Sequence, residues 1–193
     1  FGTATLAGQA CEGKAALVLD GEQATVIGLV FADISVPDRN GAGIRLQRGE
    51  LAVTQSWFRD SEQGILTHAG DDIRLRIDKS TFTRPGTCEG DGRSRFEQGT
   101  GGHYLKSRAA RTVVEDTSFD DAGGRGTNYM IDLPNGGSGN IAGNWFVQGR
   151  DKENYSAFIA VGAEGAEFSS DGLTIAGNDA RLAPDLRRNT AFV

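Results

Sequence analysis

Proline, cysteine, histidine and methionine are all scarce in this chain. Of 193 residues, 4 are Pro, 2 Cys, 2 His and 1 Met. Few prolines leave nearly every backbone N–H able to donate. Cys11 and Cys88 stand far apart with no Cys-x-x-Cys spacing, which excludes the usual structural zinc site. They read either as one bridge in an oxidising compartment or as two small buried hydrophobes. His68 and His103 are too few for a His triad, and a single Met excludes a Met-rich binding groove. No apolar run approaches the roughly 18 residues a membrane helix needs. The 20 basic residues are outnumbered by 26 acidic ones, giving a net charge of −6. That leaves no global electrostatic case for nucleic acid. No segment longer than about ten residues keeps a 3.6-residue period, so no long helix is expected. The opening at Phe1, with neither an initiator Met nor a basic n-region, reads as a trimmed fragment.

Glycine, by contrast, is plentiful, at 28 residues, and 38% of the chain is apolar. That suffices for one domain with a real core, taken as residues 1–193. One phrase recurs: an alternating apolar run, a small or polar pair, then Phe. It reads Val26-Ile27-Gly28-Leu29-Val30-Phe31, then Val53-Thr54-Gln55-Ser56-Trp57-Phe58, then Ile77-Asp78-Lys79-Ser80-Thr81-Phe82. It returns ending at Phe96, Phe119 and Phe146, and last as Leu173-Thr174-Ile175-Ala176-Gly177-Asn178 with Ala180 in the Phe place. The spacing falls in the range of stacked repeats. After each phrase comes a second strand-like run, such as Gly43-Ile44-Arg45-Leu46 or Gly64-Ile65-Leu66-Thr67. Short alternating runs parted by Gly, Asn, Asp and Ser describe β-structure throughout.

The repeated small-polar-x-Phe phrase, the Gly-Asn pairs at 143–144 and 177–178 and the strand-turn rhythm resemble the pectin-lyase-like superfamily. The stretch from Lys106-Ser107-Arg108-Ala109 to Ile131-Asp132-Leu133-Pro134-Asn135-Gly136-Gly137 also resembles one seen in bacterial β-helix repeat proteins. The resemblance implies an all-β fold: a single-stranded right-handed parallel β-helix, or solenoid, of about seven or eight coils. Phe would stack as a ladder inside it. Phe82 and Phe96 are too close for one coil to close between them. The expectation is a segment missing near Gly92–Arg93.

Alternation places one column of side chains outward on successive strands. Aligned at the Gly-like start, that column holds Gln47, His68, Lys106 and Asp132. Parallel rungs stack about 4.8 Å apart, so Lys106 and Asp132 would pair. Tyr104 and Arg108 flank them. Lys, Arg and Tyr together suit an acidic polysaccharide: Arg grips carboxylates in a bidentate fork, and Lys or Tyr can move a proton α to a carboxylate. The resemblance extends to the β-elimination sites of polysaccharide lyases, with Lys106 as base, Tyr104 as proton donor, and Arg108 with Arg45 neutralising the carboxylate. The Arg that the alginate lyase and chondroitinase B group carries one coil later is replaced by Met130-Ile131-Asp132-Leu133. The plainer alternative is a structural Lys106–Asp132 pair.

Around this centre, His68, Asp132, Arg150, Lys152 and Tyr155 are candidate substrate-binding residues. The run Gln148-Gly149-Arg150-Asp151-Lys152-Glu153-Asn154 reads as a solvated turn or a groove wall. His103 reads as a core or interface histidine. Asp120-Asp121 reads as a turn motif, the alternative being a hydrolase acid pair. No cofactor and no metal site are expected, with calcium as the minor alternative; calcium wants six to eight oxygens, and the paired acids make no Asp-x-Asp-x-Asp-Gly loop. The functional expectation is a secreted or periplasmic protein acting on acidic polysaccharide, as a lyase or hydrolase. The alternative is a non-catalytic protein that binds glycan or a surface partner, or serves as a scaffold.

Overall fold

The computed structural model describes residues 4–78 and 95–193. The chain is all-β there, and every pairing between its strands is parallel. One sheet contains, in spatial order, β1 (Ala4–Ala7), β3 (Leu29–Ala32), β5 (Trp57–Arg59), β8 (Arg95–Glu97), β11 (Ser118–Asp120), β14 (Trp145–Gln148) and β17 (Asp179–Leu182). The other has ten strands. One arm runs β15 (Ile159–Val161), β12 (Ile131–Leu133), β9 (Leu105–Lys106), β6 (Gln63–Thr67) to β4 (Ala42–Thr54). From β4 the second arm runs β7 (Gly70–Asp78), β10 (Ala109–Glu115), β13 (Ser138–Ala142), β16 (Leu173–Ala176), with β2 (Ala15–Ile27) also on β4.

This corrects the expected fold. A single-stranded right-handed parallel β-helix of seven or eight coils does not describe 17 short strands divided between two sheets, one of them curled. In the ten-stranded sheet β2 and β4 are 13 residues each. β4 pairs with β6 through Ala42–Leu46 and with β7 through Glu50–Thr54, so one strand carries two ladders. The bend between them falls at Gly49, whose φ of 80° suits a residue without Cβ.

The smaller sheet is held by its phenylalanines. Phe31, Phe58, Phe96, Phe119 and Phe146 are register partners and are fully buried. Their rings stack in sequence with centroids 4.8, 4.7, 4.8 and 5.0 Å apart. The rung spacing of a parallel ladder sets that distance. Each ring contributes roughly 1.5–3 kcal/mol by leaving water. Ala180 is the next partner after Phe146, and the open face of Phe146 is met edge-on by Phe158 and Phe192.

Phe58 pairs directly with Phe96, which continues the stack. Phe82, Cys88 and the break expected near Gly92–Arg93 lie outside the described residues.

The corner between the two sheets is built the same way in successive repeats. The backbone turns left-handed at Gly28, Gln55, Asp116, Gly143 and Gly177, with φ from 47° to 68°. The residue that follows satisfies the preceding rung: Asn144 Oδ1 accepts from Thr117 N, and Asn178 Oδ1 from Asn144 N, each at 2.9 Å. Asn144 Nδ2 donates to Val114 O at 2.9 Å. The Gly-Asn pairs therefore serve the bend and the buried backbone together.

Candidate functional site

A groove of about 1040 Å³ opens on the outer face of β6 and β9. Alternation in β9 sends Leu105 into the core and Lys106 out toward it. Register then assigns Lys106 its neighbours. Arg45 pairs with Leu66, Leu66 with Lys106, and Lys106 with Asp132. The expected Lys106–Asp132 adjacency is present. The rest of the expected column is displaced by two residues, because Leu105, not His103, lies opposite Ile65. Arg45 thus joins the column of Lys106. His68 does not: it is exposed in a separate depression with Lys14, Asp20 and Arg48.

Lys106 Nζ lies 3.1 Å from Asp132 Oδ2 and 2.7 Å from Glu164 Oε1. Arg108 Nη2 lies 2.6 Å from Glu164 Oε2. The imidazole Nε2 of His103 is 3.2 Å from Asp132 Oδ2. The Lys106, Asp132 and His103 side chains are nearly closed off from water, while Glu164 is 47% exposed. Burial pushes Asp132 above the usual carboxylate range despite the opposing charge of Lys106. Burial, helped by the Lys106 charge, pushes His103 down to about 3, so its ring is neutral near pH 7. Hydrogen bonds from Lys106 and then Arg108 hold Glu164 down at about 2.

Three polar atoms here are buried without a protein partner: Arg45 Nε, His103 Nδ1 and Asp132 Oδ1. Among the described residues, Arg39 and Arg45 take part in no ion pair, and both line the groove. The same residues contain no group of three or more His, Cys, Asp or Glu placed to hold a metal ion. No helix among them is long and apolar enough to cross a membrane.

Tyr104 is not in this groove, which corrects its expected role as proton donor. Its ring is in the core, and its hydroxyl donates to Asp121 Oδ1 at 2.7 Å and accepts from Gly99 N at 2.9 Å. Asp121 organises a second buried cluster. Thr127 Oγ1 donates to Oδ1 at 2.8 Å; Gly149 N and Lys152 Nζ donate to Oδ2 at 3.1 and 2.9 Å. Neither the Asp121 nor the Lys152 side chain is exposed at all. Burial and then the Asp121 charge raise the Tyr104 hydroxyl well above its ordinary value. Burial lowers Lys152 against the pull of Asp121. Lys152 is therefore a pin for its loop and not a groove contact. Asp120 does form the expected turn, its Oδ1 accepting from Ala122 N at 2.9 Å. Arg150 is exposed and donates to Pro184 O, and the face of Tyr155 is covered by the Arg188 guanidinium at 4.4 Å.

The chain matches no family model, no curated protein and no solved structure.

Two residues at the site, Glu164 and Arg39, lie outside the repeat pattern. Glu164 sits on a turn between β15 and β16, far along the chain from the cations it meets. Arg39 lies in the loop after β3, outside any repeated phrase. A lone acid inside Gly162-Ala163-Glu164-Gly165, just past the strand that pairs with β12, is the one pointer the sequence contained.

Proposed function

We propose that the groove binds an acidic polysaccharide without cleaving it, as a secreted or periplasmic glycan-binding protein. The observation that carries this reading is the pair of unpartnered arginines, Arg39 and Arg45, with Arg45 Nε buried and unsatisfied. A buried guanidinium nitrogen with no acceptor costs free energy that a ligand oxygen would recover. A carboxylate supplies two such oxygens in the geometry the fork matches. Arg45 and Lys106 stand two rungs apart, roughly 10 Å along the ladder, which suits a chain bearing acids at intervals over a single small anion. The polar lining, with Asn40, Thr100 and Asn128, suits sugar hydroxyls.

Binding is favoured over elimination because Lys106 Nζ is engaged by two carboxylates and the Tyr104 hydroxyl is in the interior. Neither stands free to meet a substrate Cα or a leaving oxygen. The test is a calorimetric titration with oligogalacturonate, oligoalginate, hyaluronan fragments and a neutral glucan, with a parallel reading of the short-wavelength ultraviolet absorbance of unsaturated uronates. Acidic oligomers are expected to bind, more weakly at high salt, with no absorbance change. Arg45→Ala is expected to weaken binding about tenfold, the loss of one charge-assisted contact. Absence of binding by every acidic oligomer overturns the reading. So does an absorbance rise that Lys106→Ala abolishes, which restores the lyase.

A further inference from the structure

Glu164 reaches the groove cations in an unusual way. Its two oxygens are shared out, Oε1 to Lys106 and Oε2 to Arg108. This is how a ligand carboxylate would bridge the same two cations. The partners differ in how firmly they are built in. Lys106 comes from a core strand and is also held by Asp132. Arg108 lies between β9 and β10, its N–H donating to Thr67 Oγ1 at 2.8 Å. Glu164 projects from an exposed turn, Gly162 to Gly165, whose backbone is tied to the neighbouring repeat by bonds to Leu133 O and Pro134 O. Glu164 is the one carboxylate paired with Arg108 among the described residues.

From this geometry we infer that Lys106 and Arg108 form a carboxylate subsite of the groove, that Glu164 fills it in the free protein, and that a uronate carboxylate of the bound glycan takes its place. The inference rests on the acidic-glycan reading and names the atoms that meet one of its charges. Displacement exchanges one carboxylate for another, so no charge is left unpaired. The displaced Glu164 turns into water, where an exposed ion pair loses little. Binding is consequently weaker than the bare subsite would give, because the ligand competes with a tethered acid at high effective concentration.

The experiment compares the full chain with Glu164→Gln, titrating oligogalacturonate and a neutral glucan at low salt. Glu164→Gln is expected to bind the acidic oligomer about fivefold more tightly, the removal of an exposed competing pair. The neutral glucan is expected to be unaffected. Asp171→Asn makes the same one-unit charge change on a nearby exposed loop and is expected to leave affinity within about twofold. Arg108→Ala added to Glu164→Gln is expected to abolish the gain. Equal binding by wild type and Glu164→Gln overturns the subsite alone. An equal gain from Asp171→Asn also overturns it, since the effect is then general charge. Absence of acidic-glycan binding in wild type and Glu164→Gln, both folded by circular dichroism, overturns the glycan reading itself and this inference with it.

Discussion

Two buried lysine–aspartate pairs stand among the described residues, and their surroundings differ in completeness. At Asp121–Lys152 both side chains are wholly enclosed, and both carboxylate oxygens are bonded, to Tyr104, Thr127, Gly149 and Lys152. At Lys106–Asp132 one carboxylate oxygen is left without a partner, a neutral imidazole stands beside the other, and an acid from a distant turn completes the cation. The first is finished by the protein alone. The second is open to a groove and finished only through Glu164. A saturated polar cluster rigidifies a fold, whereas a partly saturated one is costly unless something else completes it.

The largest expected effect breaks the finished cluster. Asp121→Ala leaves Lys152 buried and uncompensated, and is expected to cost about 3–5 kcal/mol in chemical denaturation, because removing one partner strands a charge. A loss below about 1 kcal/mol would show that water reaches Lys152 and that the two clusters do not differ in kind.

The next effect separates the clusters by pH. His103 belongs to the open one, and its folded value of about 3 lies below the ordinary 6.5. A depressed histidine contributes stability that is fully present above about 6.5 and is lost as pH falls toward 3, since the unfolded chain binds the proton first. Wild type is expected to lose stability across that window, by roughly 2–4 kcal/mol from this group. His103→Asn is expected to flatten the profile there; an unchanged slope would contradict the assignment.

The smallest effect concerns Glu164. Its lowered carboxyl, about 2 against 4.5, contributes stability present above 4.5 and lost as pH falls through 2. Because this acid is half exposed, Glu164→Gln is expected to cost less than about 1 kcal/mol at pH 7 and nothing at pH 2, by denaturant midpoint. A loss as large as that of Asp121→Ala would make Glu164 structural and not a displaceable stand-in.

Much of this was legible in the sequence where the repeat is local. The Phe-bearing phrase marks the smaller sheet because stacking needs one large ring per rung, and Phe31, Phe58, Phe119 and Phe146 took those places. Lys106 and Asp132 were legible as neighbours because both occupy the same phase of adjacent strands. The joining of two ladders into one ten-stranded sheet was not, since it depends on β4 running unbroken from β6 to β7, and no phrase signals continuity. Phe96 also took a place in the stack although no apolar run precedes its short phrase. Tyr104 looked like a neighbour of Lys106, yet it precedes β9 and turns inward to Asp121. Long-range partners such as Glu164 are set by a turn geometry with no period to read.

The most direct test of the contrast between the two clusters is a side-chain NMR titration of the full protein with oligogalacturonate. The signals of Arg45, Lys106 and Arg108 are expected to shift with the ligand and Glu164 to move off its cations, while Lys152 and the Tyr104 hydroxyl stay still. Shifts confined to Lys152 and Tyr104, or no shifts in the groove at saturating ligand, would contradict that contrast.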